Sequence, residues 1–250
     1  MNRTAMPSLP LSGKSALVTG GARRIGRAIA MALSAAGADV TITYKTSVTE
    51  AASTVREMEA TGGRALAVCC DVRSETEVQG AIAAATSKFG RLDLLVNNAA
   101  IFETAQLDQI TLEQWDAVFE TNVRGPFLFA REAIEHLRRV EGRIVNIGSL
   151  GGERAWAGHA HYCSSKAALH MLTQTMAKAF APDVSVNCVA PGWIEMEESD
   201  GGAARRFAER TPMHRNGSAD DVAQAVLFFA TTRQFITGQI LTVDGGLGLA

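Results

Sequence analysis

The chain has 250 residues and a formal net charge of −2, with 47% hydrophobic and 20% charged residues. This length allows one α/β domain with a large core, and without a basic stripe the charge pattern does not indicate a nucleic-acid or membrane-surface partner. No apolar run approaches the ~20 residues that a membrane-spanning helix needs.

The predicted elements alternate between strands and helices along the whole chain. Apolar, β-branched runs predict strands, and helical periodicity that ends at glycine predicts helices. In chain order the elements are strand 15–19, helix 23–36, strand 40–44, helix 48–60, strand 65–70, helix 75–89, strand 92–97, helix 111–139, strand 143–147, helix 160–180, strand 184–189, helix 219–230 and strand 239–243. This order predicts an α/β fold, a single Rossmann-type doubly wound domain whose seven-stranded parallel sheet has helices on both faces.

Two segments fall outside this alternation. Residues 1–10 are predicted to be a loose N-terminal arm, because they lack the apolar segment of a secretion signal, and residues 11–250 to be the domain. Residues 195–217 are predicted to be an irregular loop that acts as a lid over the substrate.

The cysteines predict neither a metal site nor disulfides. Cys69, Cys70, Cys163 and Cys188 form no Cys-x-x-Cys pair and have no histidine at metal-ligand spacing. We expect them to be thiols in a reducing cytoplasm.

Tyr162 and Lys166 lie four residues apart in a predicted helix, and Ser149 precedes the tyrosine by 13 residues. Residues at this helical spacing share a face, and a positive charge within ~4–6 Å lowers the pKa of a phenol by roughly 1–3 units. A serine hydroxyl brought in from another segment can hydrogen-bond a substrate oxygen. The three side chains therefore predict a proton donor and a holder of the carbonyl oxygen.

A glycine-rich turn runs from Thr19 to Gly26, between the first strand and the first helix. Glycines at this position let the backbone approach a pyrophosphate, which the helix N-terminus faces. The turn resembles that of the short-chain dehydrogenase/reductase family, with Arg24 in place of the middle glycine, as in members similar to pteridine reductases. The likeness extends from about Leu11 to Leu247 and is strongest to 3-oxoacyl-[acyl-carrier-protein] reductases.

Further motifs carry the same resemblance at the family's spacing: Asp71-Val72, Asn97-Asn98-Ala99-Ala100, Asn122, Ile147-Gly148-Ser149, Pro191-Gly192-Trp193-Ile194, Ile236-Thr237-Gly238-Gln239 and Asp244-Gly245-Gly246. It implies the catalytic residues Asn122, Ser149, Tyr162 and Lys166, with Asn122 positioning a water for proton resupply and Lys166 also binding the cofactor's ribose. The predicted cofactor contacts are Gly20, Arg23, Arg24, Ile25, Gly26, Tyr44, Lys45, Thr46, Asp71, Val72, Asn98, Ala99, Ala100, Tyr162, Lys166, Pro191, Gly192 and Ile194. Two positions depart from the family pattern, since Met196 replaces a threonine and Ala100 a glycine.

The second strand indicates which cofactor is bound. An acid at its carboxyl end would bind the ribose of NAD and repel the 2′-phosphate of NADP. Asp39 begins the strand and is rejected for this role, whereas Lys45 and Thr46 follow it without an acid. Together with Arg23 and Arg24, these residues favour NADP(H) over NAD(H).

The expected reaction is reduction of a small-molecule carbonyl to a secondary alcohol, without a metal. A 3-oxoacyl-[acyl-carrier-protein] is the first substrate, although only Arg138 and Arg139 suggest docking of an acidic carrier, since the sequence at 181–183 supplies no second basic anchor. A pteridine reductase acting on dihydropterin or biopterin is the alternative, against which Ser149 stands where those enzymes commonly carry Asp. A non-catalytic NADP(H)-sensing scaffold is the alternative of another class.

The remaining expectations concern the substrate pocket and assembly. The predicted substrate contacts are Ser149, Gly151, Arg154, Trp156, Tyr162 and Trp193. The resemblance also implies a homotetramer or homodimer built from the helices predicted at 111–139 and 160–180.

Overall fold

The computed structural model of the protein describes residues 9–196 and 201–249, so most of the predicted N-terminal arm lies outside the described residues. The strands are β1 Ser15–Val18, β2 Asp39–Tyr44, β3 Ala65–Cys69, β4 Leu94–Asn97, β5 Arg143–Ile147, β6 Ser185–Pro191 and β7 Ile240–Val243. The α-helices are α1 Arg24–Ala35, α2 Val48–Ala60, α3 Glu75–Phe89, α4 Leu112–Phe119, α5 Gly125–Arg138, α6 Ala160–Phe180, α7 Gly201–Arg210 and α8 Ala219–Thr231.

The seven strands form one sheet in the order β3-β2-β1-β4-β5-β6-β7, and every neighbouring pair is parallel. One apolar core lies between the sheet and the side with α1, α2 and α8, and contains Ile29, Met58 and Phe229. A second core, with Ile82 and Phe129, packs α3, α5 and α6 on the other face. The predicted doubly wound fold is confirmed.

The helix predicted at 111–139 is not continuous. A π-helical turn, Glu120–Arg124, separates α4 from α5, and the backbone N–H of Gly125 bonds to the carbonyl of Glu120, five residues back. Pro126 follows directly and has no N–H to continue the i→i−4 ladder, which explains why the register changes here. The π turn brings Asn122 to a fully buried position.

The stretch predicted to be irregular at 195–217 contains a helix. α7 occupies Gly201–Arg210 and carries an Arg205–Glu209 ion pair one turn apart at 2.9 Å. The two glycines at its start obscured this helix, because glycine is a poor helix former. Residues 197–200 of the predicted lid lie outside the described residues.

The parallel sheet places the carboxyl ends of β1, β4, β5 and β6 along one edge. The segments that follow these strands carry most of the predicted site residues, so they meet at this edge. Within the described part of the chain, no helix combines the length and apolar character needed to cross a membrane.

Candidate active site

The glycine-rich turn after β1 is held by side chains from the end of β4. The Asn98 amide donates to the carbonyls of Thr19 (2.9 Å) and Gly20 (3.1 Å), and the Thr19 hydroxyl accepts from the backbone N–H groups of Asn98 and Ala99. Gly20 has φ +62°, and a Cβ at Gly26 would lie 2.2 Å from the Gly20 carbonyl oxygen. The turn therefore requires glycine at both positions.

A cavity of about 420 Å³ opens beside this turn and extends to the ends of β2 and β3. Four basic side chains and one acidic side chain line it, so the described lining carries excess positive charge. The predicted cofactor contacts on its wall are Gly20, Arg23, Arg24, Ile25, Gly26, Tyr44, Lys45, Thr46, Asp71, Val72, Asn98, Ala99 and Ala100.

The acidic residue in this cavity, Asp71, is bound to two of its cations. Its carboxylate lies 2.7 Å from the Arg73 guanidinium and 2.8 Å from the Lys45 ammonium. The hydrogen bonds from Arg73, and then that from Lys45, hold the pKa of Asp71 well below its usual range. No sequence pattern indicated the ion pair between Lys45 and Asp71. Because of this pair, part of the Lys45 charge is neutralised by Asp71, a residue that was predicted to contact the adenine.

A second cavity, of about 820 Å³, joins Ser149, Tyr162 and Lys166 on one wall. It also contains the predicted residues Pro191, Gly192 and Ile194. Both cavities are lined by Arg24, Ile25, Asn98, Ala100, Phe102 and Met196. They therefore adjoin, and three of the four predicted catalytic side chains line the cavity next to the one at the glycine-rich turn.

Burial governs the protonation of this group. Lys166 is 3% exposed and its ammonium donates to the Ile147 carbonyl at 2.7 Å, 5.8 Å from the centre of the Tyr162 ring. Burial lowers the pKa of Lys166 to about 8. Burial also raises the pKa of Tyr162, against a smaller lowering by the Ser149 hydroxyl. The expected lowering by Lys166 is thus not the dominant effect on this phenol.

Asn122 does not line either cavity. Its side-chain amide donates to the Ile101 carbonyl and to the Ser165 hydroxyl, both at 3.0 Å, and its oxygen accepts from the Ile101 backbone N–H at 2.8 Å. Both amide hydrogens are therefore used. In this structure the side chain links α6 to the segment after β4, and its role in positioning a water stays a prediction.

An aromatic cluster surrounds Tyr162 in the larger cavity. The Phe102 ring stacks on His159 at 4.6 Å and meets the edge of Tyr162 at 4.8 Å, while Trp156 stacks on Tyr162 at 6.3 Å. Trp193 stacks on Phe207 of α7 at 4.1 Å. The cavity therefore offers flat apolar surfaces next to the candidate proton donor.

The predicted substrate contacts separate into two groups. Trp156, Trp193 and Arg154 line the cavity, although the Arg154 guanidinium also donates to the Gly248 carbonyl. Gly151 does not line it: a Cβ there would lie 3.1 Å from the Trp156 ring, so the glycine is buried beneath this tryptophan.

Sequence reasoning missed Phe102, His159 and Phe207 as cavity residues. His159 precedes Tyr162 by one helical turn, and Phe102 follows the Asn98–Ala100 motif. Their closeness in sequence to predicted site residues could therefore have indicated that they line the cavity. No sequence feature indicated that Phe207 lines the cavity, because its helix was not predicted. Among the described residues, no group of three or more His, Cys, Asp or Glu side chains could hold a metal ion.

The chain is similar to known proteins over nearly its whole length. A family model described as enoyl-(acyl carrier protein) reductase matches residues 20–248. A 3-oxoacyl-[acyl-carrier-protein] reductase of Synechocystis sp. is 39% identical over 241 residues, covering 95% of this chain and 98% of the relative.

Two solved structures are similar throughout. A short-chain dehydrogenase from Burkholderia cenocepacia in complex with NADP is 42% identical with a TM-score of 0.90, covering 95% of this chain and 99% of that one. A blue fluorescent protein from a metagenomic library, in complex with NADPH, is 37% identical with the same TM-score and coverage. The glycine-rich turn and the adjoining cationic cavity fit a nicotinamide dinucleotide.

We expect Gly26→Ala to abolish NADPH binding, because its methyl group would overlap the Gly20 carbonyl and displace the turn. Gly80→Ala is the matched control, since a Cβ at Gly80 in α3 meets nothing within 4 Å and alanine stabilises a helix interior by ~0.5–1 kcal/mol. Titration followed by tryptophan fluorescence, with thermal unfolding of both variants, measures the effect. Wild-type NADPH affinity in the Gly26 variant would show that this turn is not the dinucleotide site.

Proposed function

The chain belongs to the short-chain dehydrogenase/reductase family of NAD(P)-dependent oxidoreductases, and we propose that it reduces a carbonyl compound to a secondary alcohol with NADPH. The observation that carries the proposal is the position of Ser149, Tyr162 and Lys166 on one wall of the larger cavity, beside its border with the cationic cavity. Carbonyl reduction needs a hydride at carbon and a proton at oxygen, and a dinucleotide that extended from the cationic cavity across this border would bring the hydride source to the proton donor.

The chain's own residues account for the proton and the oxygen. NADPH, when bound, supplies the hydride for the carbonyl carbon. The Ser149 oxygen accepts from the Gly151 N–H at 3.0 Å, and its hydroxyl, which interacts with Tyr162 in this structure, would turn its hydrogen to the carbonyl oxygen of a bound substrate. Tyr162 gives its proton to that oxygen, and its raised pKa keeps the phenol protonated beforehand. The Lys166 ammonium offers the nearby positive charge that favours the resulting phenolate.

Charge in the smaller cavity supports NADPH as the cofactor. Lys45 and Thr46 follow β2 at its carboxyl end, while Asp39 lies at the opposite end and pairs with Arg64 at 3.0 Å. Lys45 pairs with Asp71, and Arg23 lies 3.7 Å from Glu50, so both share their charge with acids of this chain. Arg24 lines both cavities, and we propose that it receives the 2′-phosphate together with Lys45 and Arg23.

A 3-oxoacyl thioester is the first substrate class, because relatives 36–39% identical to this chain are named 3-oxoacyl-[acyl-carrier-protein] reductases. Docking of an acidic carrier protein has weaker support. Arg138 lies 2.6 Å from the Glu135 carboxylate and 3.8 Å from that of Asp183, so its charge is shared with two acids of this chain. A small thioester or free ketone fits these charges better than a carrier-bound one.

Dihydropterin reduction is the second candidate, favoured by one observation. The Phe102 ring is 54% exposed and lines both cavities, so a flat heterocycle could stack on it at the border. Ser149 lies where an acid would be expected for that substrate, which places this candidate second.

We further propose self-association through the helices of the α4–α6 side. Leu112, Phe127 and Met171 are exposed apolar side chains on α4, α5 and α6, which a partner subunit would cover. A monomeric mass in sedimentation equilibrium would contradict this.

The four cysteines are free thiols, which suits the reducing cytoplasm that we propose as the site of action.

Cofactor choice is tested by Arg24→Gly. Glycine accommodates the positive φ of 52° at this position and removes the guanidinium. We expect NADPH affinity to fall by about tenfold or more while NADH affinity changes little, as for loss of a charge-assisted hydrogen bond. The control is Arg27→Ala, on the same helix but bound to Glu57 and outside both cavities. A wild-type enzyme that binds NADH more tightly than NADPH would refute the assignment.

The reaction itself is tested by Tyr162→Phe in a panel containing a small diketone, acetoacetyl-coenzyme A and dihydrobiopterin. We expect NADPH oxidation to fall by about 10²–10⁴-fold with unchanged NADPH affinity, because only the acid is lost. Cys163→Ala is the neighbouring control, since this thiol faces the Arg154 carbonyl rather than the cavity. The relative rates on the panel rank the substrate classes.

The opposite outcomes are equally informative. If Tyr162→Phe keeps most of the wild-type rate of NADPH oxidation, Tyr162 is not the proton donor. If the wild-type protein binds NADPH but oxidises it with none of the three compounds, the non-catalytic scaffold becomes the better hypothesis.

A further inference from the structure

A buried histidine follows Tyr162 and Lys166 along the same face of α6. His170 lies four residues after Lys166, so the three residues repeat at one-turn spacing. Its side chain is 7% exposed. The proposed reaction gives this buried imidazole no role.

The imidazole lies directly against the turn that carries Ser149. Its Nε2 accepts a hydrogen bond from the Ser149 backbone N–H at 3.4 Å. The glycines on either side make room for the ring: a Cβ at Gly148 would lie 2.3 Å from Nε2, and one at Gly152 would lie 2.7 Å from Cε1. The His170 ring therefore fits at this place only with glycine at both position 148 and position 152.

The surroundings keep the imidazole neutral. Burial, and then the charge of Lys166, lower the pKa of His170 to about 4. From β6, Cys188 also faces Gly148, and burial raises the pKa of this thiol to about 12, so it brings no negative charge. A neutral ring that accepts at Nε2 carries its hydrogen on Nδ1.

Ser149 is consequently fixed at two atoms. Gly151 donates to its side-chain oxygen at 3.0 Å, and His170 accepts from its backbone nitrogen. Without the second contact, the buried N–H would lose its partner and the backbone of Ser149 would be free to shift. A shift of this residue moves the hydroxyl that is meant to hold the carbonyl oxygen.

We propose that His170 is a positioning residue for the proposed carbonyl reduction, acting through Ser149 by accepting its backbone N–H. This inference rests on the proposed function of Ser149. It assigns His170 no contact with substrate or cofactor, in keeping with its absence from the described lining of both cavities.

The first test compares His170→Leu with His170→Gln. Leucine removes the acceptor, and we expect kcat to fall about tenfold with unchanged NADPH affinity, as for one lost hydrogen bond. Glutamine supplies a carbonyl acceptor, and we expect kcat within about threefold of wild type. His136→Leu on α5, outside both cavities, is the matched control. If the leucine variant fails to bind NADPH, His170→Asn, polar but too short to reach the N–H, replaces it.

The second test is a double-mutant cycle with Ser149→Ala. If His170 acts through Ser149, adding His170→Leu to Ser149→Ala costs little further activity. Losses that multiply, or a glutamine variant no better than leucine, would overturn the proposal. If Ser149→Ala alone leaves kcat unchanged, the proposed role of Ser149 fails instead, so the two failures are distinguishable.

Discussion

The candidate site depends on a buried chain of polar side chains that ties α6 to the sheet. The Asn97 side-chain amide on β4 donates to the side-chain oxygen of Asn146 on β5 at 2.9 Å, and the Asn146 amide donates to the Thr173 hydroxyl on α6 at 2.8 Å. Buried amides are costly unless paired, so each contact constrains the next. Ser149 follows β5 and Tyr162 belongs to α6, so their separation is set by how closely this helix approaches the sheet.

The same burial sets the protonation of the site. Burial lowers the pKa of Lys166, whose ammonium donates to the Ile147 carbonyl, and burial together with the Lys166 charge disfavours protonation of His170. Two cations so close in a low dielectric would repel strongly. One charge is therefore kept on Lys166, and the imidazole remains an acceptor for the backbone. Burial thus keeps the imidazole neutral, and the Lys166 charge adds to this effect.

Local patterns in the sequence predicted much of this arrangement, and pairings between distant segments accounted for what was missed. The glycine turn and the one-turn spacing of Tyr162 and Lys166 are local signals, and the structure has both where they were expected. By contrast, the attachment of Asn122 to Ile101 and the contact of His170 with Ser149 join residues 21 positions apart. No periodicity reports such contacts. The π turn was missed because Pro126 alters one hydrogen-bond register without changing the apolar pattern.

The substrate pocket and the acid chemistry are physically linked. The aromatic cluster of Phe102, Trp156 and His159 contacts or faces the Tyr162 ring, and burial is the main cause of the raised pKa of this phenol. The side chains that shape the space for a substrate therefore also exclude water from the proton donor. Enlarging the pocket by removing one of these rings would hydrate the phenol as well as change substrate fit. A change in these rings that alters substrate specificity is therefore expected to alter the pKa of Tyr162 as well.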